Sequence, residues 1–61
     1  MKTCMVYDVE VKVGDMVAFN DGTEHWAKIV AMSIVRGRAE LLLETGVGNL
    51  IARLADACWA D

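Results

Sequence analysis

The residues of this 61-residue chain that could perform covalent or metal chemistry are few and scattered. Cys4 and Cys58 stand near opposite ends, and His25 is the only histidine. Zinc ligands usually occur as closely spaced pairs such as Cys-x2-Cys, and the sequence holds no such pair. A Ser–His unit would need Ser33, which lies inside an apolar stretch. We therefore predict no catalytic residue, no metal site and no cofactor, and the pattern favours a protein that is not an enzyme.

Aromatic side chains point to binding instead. The strongest turn signal in the chain is Asn20-Asp21-Gly22, and the neighbouring residues His25 and Trp26 follow it after two residues. An aromatic surface at such a place suits an extended ligand, and tryptophan is enriched at interface hot spots. The candidate ligand- or partner-binding residues are Trp26, His25, Tyr7 and Trp59.

Positive charge is concentrated at Arg36 and Arg38, which flank Gly37. These two arginines are candidate phosphate contacts at a hairpin tip. The chain as a whole is acidic, with 9 Asp and Glu against 6 Lys and Arg, a net charge of -3 and a pI near 4.9. Because nucleic-acid binding needs a basic patch, this balance disfavours nucleic acid as a partner.

The alternation of apolar and polar residues predicts an all-β chain. Odd positions from Met5 to Val13 are apolar with charges between them, which indicates one half-buried strand. A short strand follows at 16–19, a long one at 25–35 that is apolar on both faces, and a fourth at 39–45. A strand apolar on both faces is central, bent or covered by another subunit.

The C-terminal segment has two interpretations. Apolar residues in 49–59 fit helical spacing with Asn49 as N-cap, which gives a four-stranded antiparallel sheet plus a C-terminal helix. Alternatively, 50–54 is a strand, followed by a tight turn and a closing strand at Cys58-Trp59. The second interpretation is favoured, because a further strand closes the sheet and removes its exposed edges.

Hydrophobic residues make up 56% of the chain, more than a core of this size absorbs. We expect the excess to meet another copy, so a homo-oligomer is predicted, with Ile29, Ala31, Leu42 and Ile51 at the centre of the contact. No apolar run reaches the roughly 18 residues of a membrane span. Asp8 and Glu10 stand where a signal peptide would be apolar, so we expect a cytoplasmic protein without a membrane partner.

The order of these elements resembles the SH3-like small barrel. The resemblance rests on Val13-Gly14-Asp15-Met16-Val17, the turn at Asp21-Gly22, Ile29-Val30 in the long strand, the hairpin at Gly37 and the segment from Leu54 to Trp59. It covers nearly the whole chain. It implies a single domain over residues 1–61, a five-stranded barrel with a 3₁₀ turn before the last strand.

Within that class the chain is similar to the plasmid-borne, trimethoprim-resistant (type II) dihydrofolate reductases, whose four subunits share one pore. The similarity lies in Gly14-Asp15-Met16-Val17 and Trp26-Ala27-Lys28-Ile29-Val30. Where that family carries Val-Gln-Ile-Tyr in its pore, this chain has Leu50-Ile51-Ala52-Arg53. The resemblance thus implies fold and self-association, and it transfers no functional residue.

These observations lead to three functional hypotheses. The first is a small interaction or regulatory module that self-associates through apolar strand faces, with a further protein partner allowed. The alternative is an oligomer that binds a nucleotide- or folate-like ligand in a shared pore. The second alternative is a weak nucleic-acid-binding module, or a nucleic-acid mimic.

Overall fold

The computed structural model describes residues 3–60, and over this range the chain is built of β-strands and one 3₁₀ turn. The strands are β1 (Thr3–Val6), β2 (Val9–Lys12), β3 (Met16–Asn20), β4 (Glu24–Val35), β5 (Arg38–Glu44), β6 (Leu50–Leu54) and β7 (Cys58–Trp59), with the 3₁₀ turn at Ala55–Ala57. The prediction of an all-β chain is confirmed.

Five of the strands form one antiparallel sheet in the order β6-β5-β4-β3-β7. The 12-residue β4 is its central strand, as expected for the segment that is apolar on both faces. A bulge between Ile29 and Ala31 leaves Val30 without a partner and bends the strand there. On the other side of β4, the amide of Ile29 donates to the Asp15 carbonyl at 2.9 Å and its carbonyl accepts from the Gly14 amide at 2.8 Å.

The N-terminal alternation forms a hairpin, so the prediction of one strand over 5–13 is wrong. β1 pairs with β2 as a separate two-stranded sheet, and Val6 lies opposite Val9 across the turn at Tyr7-Asp8. Tyr7 has a φ of 55°, which is an uncommon conformation for a bulky residue. Across this turn the buried face changes from even positions, Cys4 and Val6, to odd positions, Val9 and Val11. Period-two patterning does not reveal the change because residues 4–7 are all apolar.

The core lies between this hairpin and the inner face of the five-stranded sheet. Every strand except β6 contributes at least one buried residue: Val6, Val11, Val17, Phe19, Ala27, Ile29, Leu41, Leu43 and Cys58, with Ala55 from the 3₁₀ turn. Burying side chains of this size gives about 1.5–3 kcal/mol each, which is the main favourable contribution to folding. β6 adds Ile51 at the margin of this cluster.

The C-terminal helix over 49–59 is wrong, since the segment is β6, the 3₁₀ turn and β7. The 3₁₀ turn before the last strand is present where it was predicted. The sheet is open, however, because β6 and β7 are its two edges and no strand pairing joins them within residues 3–60. β7 pairs with β3 over only two residues, and the turn carries the chain across from one edge to the other. No helix in the described range is long and apolar enough to span a membrane.

Candidate functional site

The main cleft opens where the β3–β4 hairpin and the β5–β6 hairpin meet at one end of the sheet. It has a volume of about 330 Å³. Its lining comprises Phe19, Asp21, His25 and Trp26 from the first hairpin, and Thr45, Gly46, Val47, Asn49 and Ile51 from the second. Known small-ligand pockets begin at about this size, so the cleft can hold one large side chain or a small planar molecule.

Short-range backbone chemistry shapes both hairpin turns. The Asn20 side-chain oxygen accepts from the Gly22 amide at 3.1 Å. This hydrogen bond to the backbone two residues further on is the reason that asparagine favours turns. In the second hairpin the Gly48 amide donates to the Thr45 carbonyl at 2.9 Å. Gly48 has a φ of 87°, the left-handed conformation that follows a type I turn in a three-residue hairpin loop. This loop places Val47 at its tip with 83% of its surface exposed.

Phe19 forms the floor of the cleft and is almost fully buried. The imidazole of His25, its cross-strand neighbour, stacks on it with a centroid distance of 5.4 Å and an interplanar angle of 28°. The guanidinium carbon of Arg53 lies 5.3 Å from the centroid of the same ring. The aromatic ring of the floor thus contacts a stacked imidazole and a cation from the edge strand.

Trp26 forms part of the wall of the cleft and is 38% exposed. Its indole N–H donates to the Glu24 carboxylate at 2.9 Å, which fixes the orientation of the ring. On the outer face of the sheet, Ala18 lies directly between Trp26 and Trp59 in the register and is fully buried. The two tryptophans therefore flank a small residue, and Trp59 lies outside the cleft lining.

The polar groups near the cleft allow little covalent chemistry. The Thr23 hydroxyl and His25 Nε2 lie 3.1 Å apart on the exposed hairpin, but no described residue hydrogen-bonds to Nδ1 to orient the imidazole. Ser33 lies far along β4 from His25. Burial raises the pKa of the Cys58 thiol and of the Cys4 thiol, which disfavours the reactive thiolate. Residues 3–60 contain no group of three or more His, Cys, Asp or Glu side chains placed to hold a metal ion.

A second groove, of about 310 Å³, lies between the β1–β2 hairpin and the sheet. Its lining includes Tyr7 and Arg38 together with Met5, Ala39, Ala55 and Asp56. The Tyr7 hydroxyl donates to the Asp56 carbonyl at 3.2 Å and so ties the hairpin to the 3₁₀ turn. The structure thus separates the predicted binding residues: His25 and Trp26 line the main cleft, and Tyr7 lines the second groove.

The four residues predicted for the subunit contact lie on two different faces. Ile29 is fully buried in the core, so it has no surface to offer a partner in this structure. Ile51 packs at the margin of the core and lines the main cleft. Ala31 and Leu42 lie side by side on the outer face, in one row with Ala52. Of the four residues, only Ala31 and Leu42 lie on the outer face of the sheet.

Sequence reasoning missed the contribution of the β5–β6 loop to the cleft. The sequence indicates a strand end at Thr45 and a candidate helix N-cap at Asn49, and it does not predict that Thr45, Gly46, Val47 and Asn49 line the cleft. A signal was available, since a valine between two glycines has no strand neighbours to cover it. Comparison with protein-family models, curated proteins and solved structures finds no match to this chain.

Proposed function

We propose that the protein is a small, non-enzymatic interaction module that self-associates and that binds an extended segment of a protein partner in the main cleft. The observation that carries this proposal is the cleft itself, whose lining combines the aromatic side chains of Phe19, His25 and Trp26 with the exposed Val47. Clefts that combine aromatic walls with a few polar groups are typical binding sites.

The SH3-like interpretation belongs to this proposal. The meander β3-β4-β5-β6, the 3₁₀ turn after β6 and the pairing of β7 with β3 support it. A fold of this kind does not define a function, so the ligand has to be argued from the cleft.

The negative charge of the cleft favours a ligand that carries a positive charge. Asp21 is the one carboxylate among the described residues that line the cleft, Glu24 lies beside Trp26, and neither lysine nor arginine is part of the lining. The positive charge of Arg53, which lies against the Phe19 ring, offsets some of this negative charge. The partner segment therefore carries an apolar side chain next to a basic one. The shared-pore alternative has less support, because nucleotides and folates are anions and would face these carboxylates.

The test uses random peptides displayed on phage and selected against the whole protein. We expect enriched peptides to pair an apolar with a basic residue. Val47→Ser should weaken the binding of such peptides about tenfold, because it removes one buried aliphatic contact. Ile34→Ser is the matched control, since Ile34 is also an exposed aliphatic residue but lies outside the cleft.

A second readout follows Trp26 directly. In a Trp59→Phe background the remaining tryptophan reports occupancy of the cleft by its fluorescence. A selected peptide should shift this emission and the Val47→Ser variant should reduce the shift. Equal binding to both serine variants, or a response to NADPH or ATP in place of the peptides, would overturn the proposal.

A further inference from the structure

The β6 strand presents an open edge whose backbone groups follow from the hairpin geometry. The Thr45 amide donates to the Asn49 carbonyl at 2.9 Å, so this residue pair is hydrogen-bonded. Bonded and non-bonded pairs alternate along an antiparallel ladder. The amides and carbonyls of Ile51 and Arg53 consequently point toward β5, and those of Leu50 and Ala52 point away from it, toward the free edge. The Leu54 amide also points to the free edge, whereas its carbonyl accepts from the Cys58 thiol at 3.5 Å.

The sequence of this edge is symmetric about its middle residue. Leu50, Ala52 and Leu54 share the outer face of the sheet, opposite Glu44, Leu42 and Glu40 of β5. If a second β6 runs antiparallel with Ala52 on the two-fold axis, each Leu50 lies opposite Leu54 of the partner subunit. A contact that uses the same patch on both copies is self-complementary, as two-fold interfaces require.

We infer that β6 pairs with β6 of a second copy of this chain, antiparallel and centred on Ala52, to join two sheets into one. This inference rests on the self-association part of the proposed function and gives it a surface. The pairing forms about four main-chain hydrogen bonds, two between the Ala52 residues and one on each Leu50–Leu54 pair, because the Leu54 carbonyl already accepts from Cys58. It also extends the apolar row of Ala31, Leu42 and Ala52 across the two-fold axis. Leu50, which is 59% exposed, gains an apolar neighbour there.

Arg53 opposes this pairing and keeps it weak. Its Nη1 donates to the Ala52 carbonyl at 3.0 Å, so the guanidinium occupies an acceptor that the paired strand needs. Inward-pointing charges on edge strands are a known device against unwanted pairing. A stable interface covers about 800 Å² on each partner, roughly a fifth of the 4015 Å² surface of this chain. A five-residue strand covers less, so the dimer is a transient one with an affinity in the micromolar range or weaker.

The experiment measures sedimentation of the whole protein over about a hundredfold range of concentration, together with amide hydrogen exchange. We expect reversible dimerisation, and protection that grows with concentration at the amides of Ala52 and Leu54 only. The amides of Ile51 and Arg53 should be protected at every concentration because they already bond to β5.

Two variants of Ala52 separate edge pairing from other contacts. Ala52→Pro removes an amide that points to the free edge, so it should abolish dimerisation and leave the monomer folded. Ala52→Lys keeps the amide but sets two like charges on the two-fold axis, and it should also abolish dimerisation. Arg53→Met frees the Ala52 carbonyl of both copies and should tighten the dimer about 30-fold, the equivalent of one hydrogen bond of about 1 kcal/mol in each subunit.

Each outcome supports or overturns a defined statement. Dimerisation that persists in both Ala52 variants, or protection without the alternating pattern, would overturn the inferred pairing while self-association stands. A monomer at all concentrations would overturn both. Peptide binding in the main cleft is an independent readout for the two Ala52 variants, because Ala52 is not part of its lining.

Discussion

The guanidinium of Arg53 lies 5.3 Å from the centre of the Phe19 ring, so a charged side chain on the edge strand covers the end of the core. Arg53 shares the inner face of β6 with Ile51, opposite Leu41 and Leu43 of β5. Its aliphatic stem can pack there and its charged group can remain near water. Arg53 thus contacts the Phe19 ring at the floor of the main cleft and also donates a hydrogen bond to the Ala52 carbonyl at the free edge of the sheet.

Replacing Arg53 should therefore affect stability as well as pairing. We expect Arg53→Ala to lower the free energy of unfolding by about 1 kcal/mol, from lost stem packing and the cation–ring contact. Arg53→Met should recover most of this loss because it keeps an apolar stem. Urea denaturation at low protein concentration, where the monomer predominates, measures both. Equal stability of Arg53→Ala and the unmodified chain would show that the contact with Phe19 contributes nothing.

The β4–β5 turn offers a cleaner backbone test. Arg36 and Gly37 have φ values of 54° and 79°, the pattern of a type I′ hairpin turn. Asparagine tolerates this conformation better than arginine, so Arg36→Asn should stabilise the protein by about 0.5–1 kcal/mol. Gly37→Ala should destabilise it by about 1 kcal/mol, since alanine is strained at this φ. Thermal unfolding should show a higher midpoint temperature than the unmodified protein for Arg36→Asn and a lower one for Gly37→Ala.

Much of the fold was predictable because the alternation of apolar and polar residues indicates the strands. The alternation in β3 placed Val17 and Phe19 together in the core, and the apolar faces of β4 indicated a central strand. The hairpin at Tyr7 was not predictable, because tyrosine is not a turn residue and the apolar run at 4–7 hides the change of buried face. In the C-terminal segment, local spacing fitted a helix, and tertiary pairing of Leu50–Leu54 with β5 decided for a strand.

The site was less predictable than the fold. His25 and Trp26 were predicted as binding residues because an aromatic pair follows a strong turn signal, and both line the main cleft. Ile29 was assigned to a surface because hydrophobicity alone does not distinguish the inner from the outer side of a strand apolar on both faces. The bulge at Val30, which reverses the order of faces along β4, has no local sequence signature.

The two cysteines should differ in reactivity. Burial raises the pKa of both thiols, so little thiolate exists at neutral pH, and Cys58 has no exposed surface. In a Cys4→Ser variant we expect Ellman's reagent to modify Cys58 at least about tenfold more slowly in the native protein than in urea. The Cys58→Ser variant should leave a faster-reacting thiol at the half-buried Cys4. Reaction of Cys58 at the same rate in both conditions would contradict its burial.

The turn between β2 and β3 should give the protein a pH-dependent stability. The Asp15 carboxylate accepts from the Lys12 amide at 3.0 Å and from the Lys12 ammonium at 3.1 Å. These bonds, the backbone one foremost, hold the pKa of Asp15 below its ordinary value. A carboxylate with a lowered folded-state pKa contributes stability above its unfolded pKa, and this contribution is lost as the pH falls through the folded-state pKa.

Asp15→Asn should consequently be less stable than the unmodified protein at neutral pH, and the difference should shrink as the solution is acidified. Because the side chain is exposed, the effect should be small and should weaken further with salt. Asp8→Asn removes the same charge from the β1–β2 turn and serves as the matched control. Urea denaturation at several pH values measures all three proteins. A stability difference for Asp15→Asn that stays constant on acidification would show that the carboxylate charge does not hold this turn.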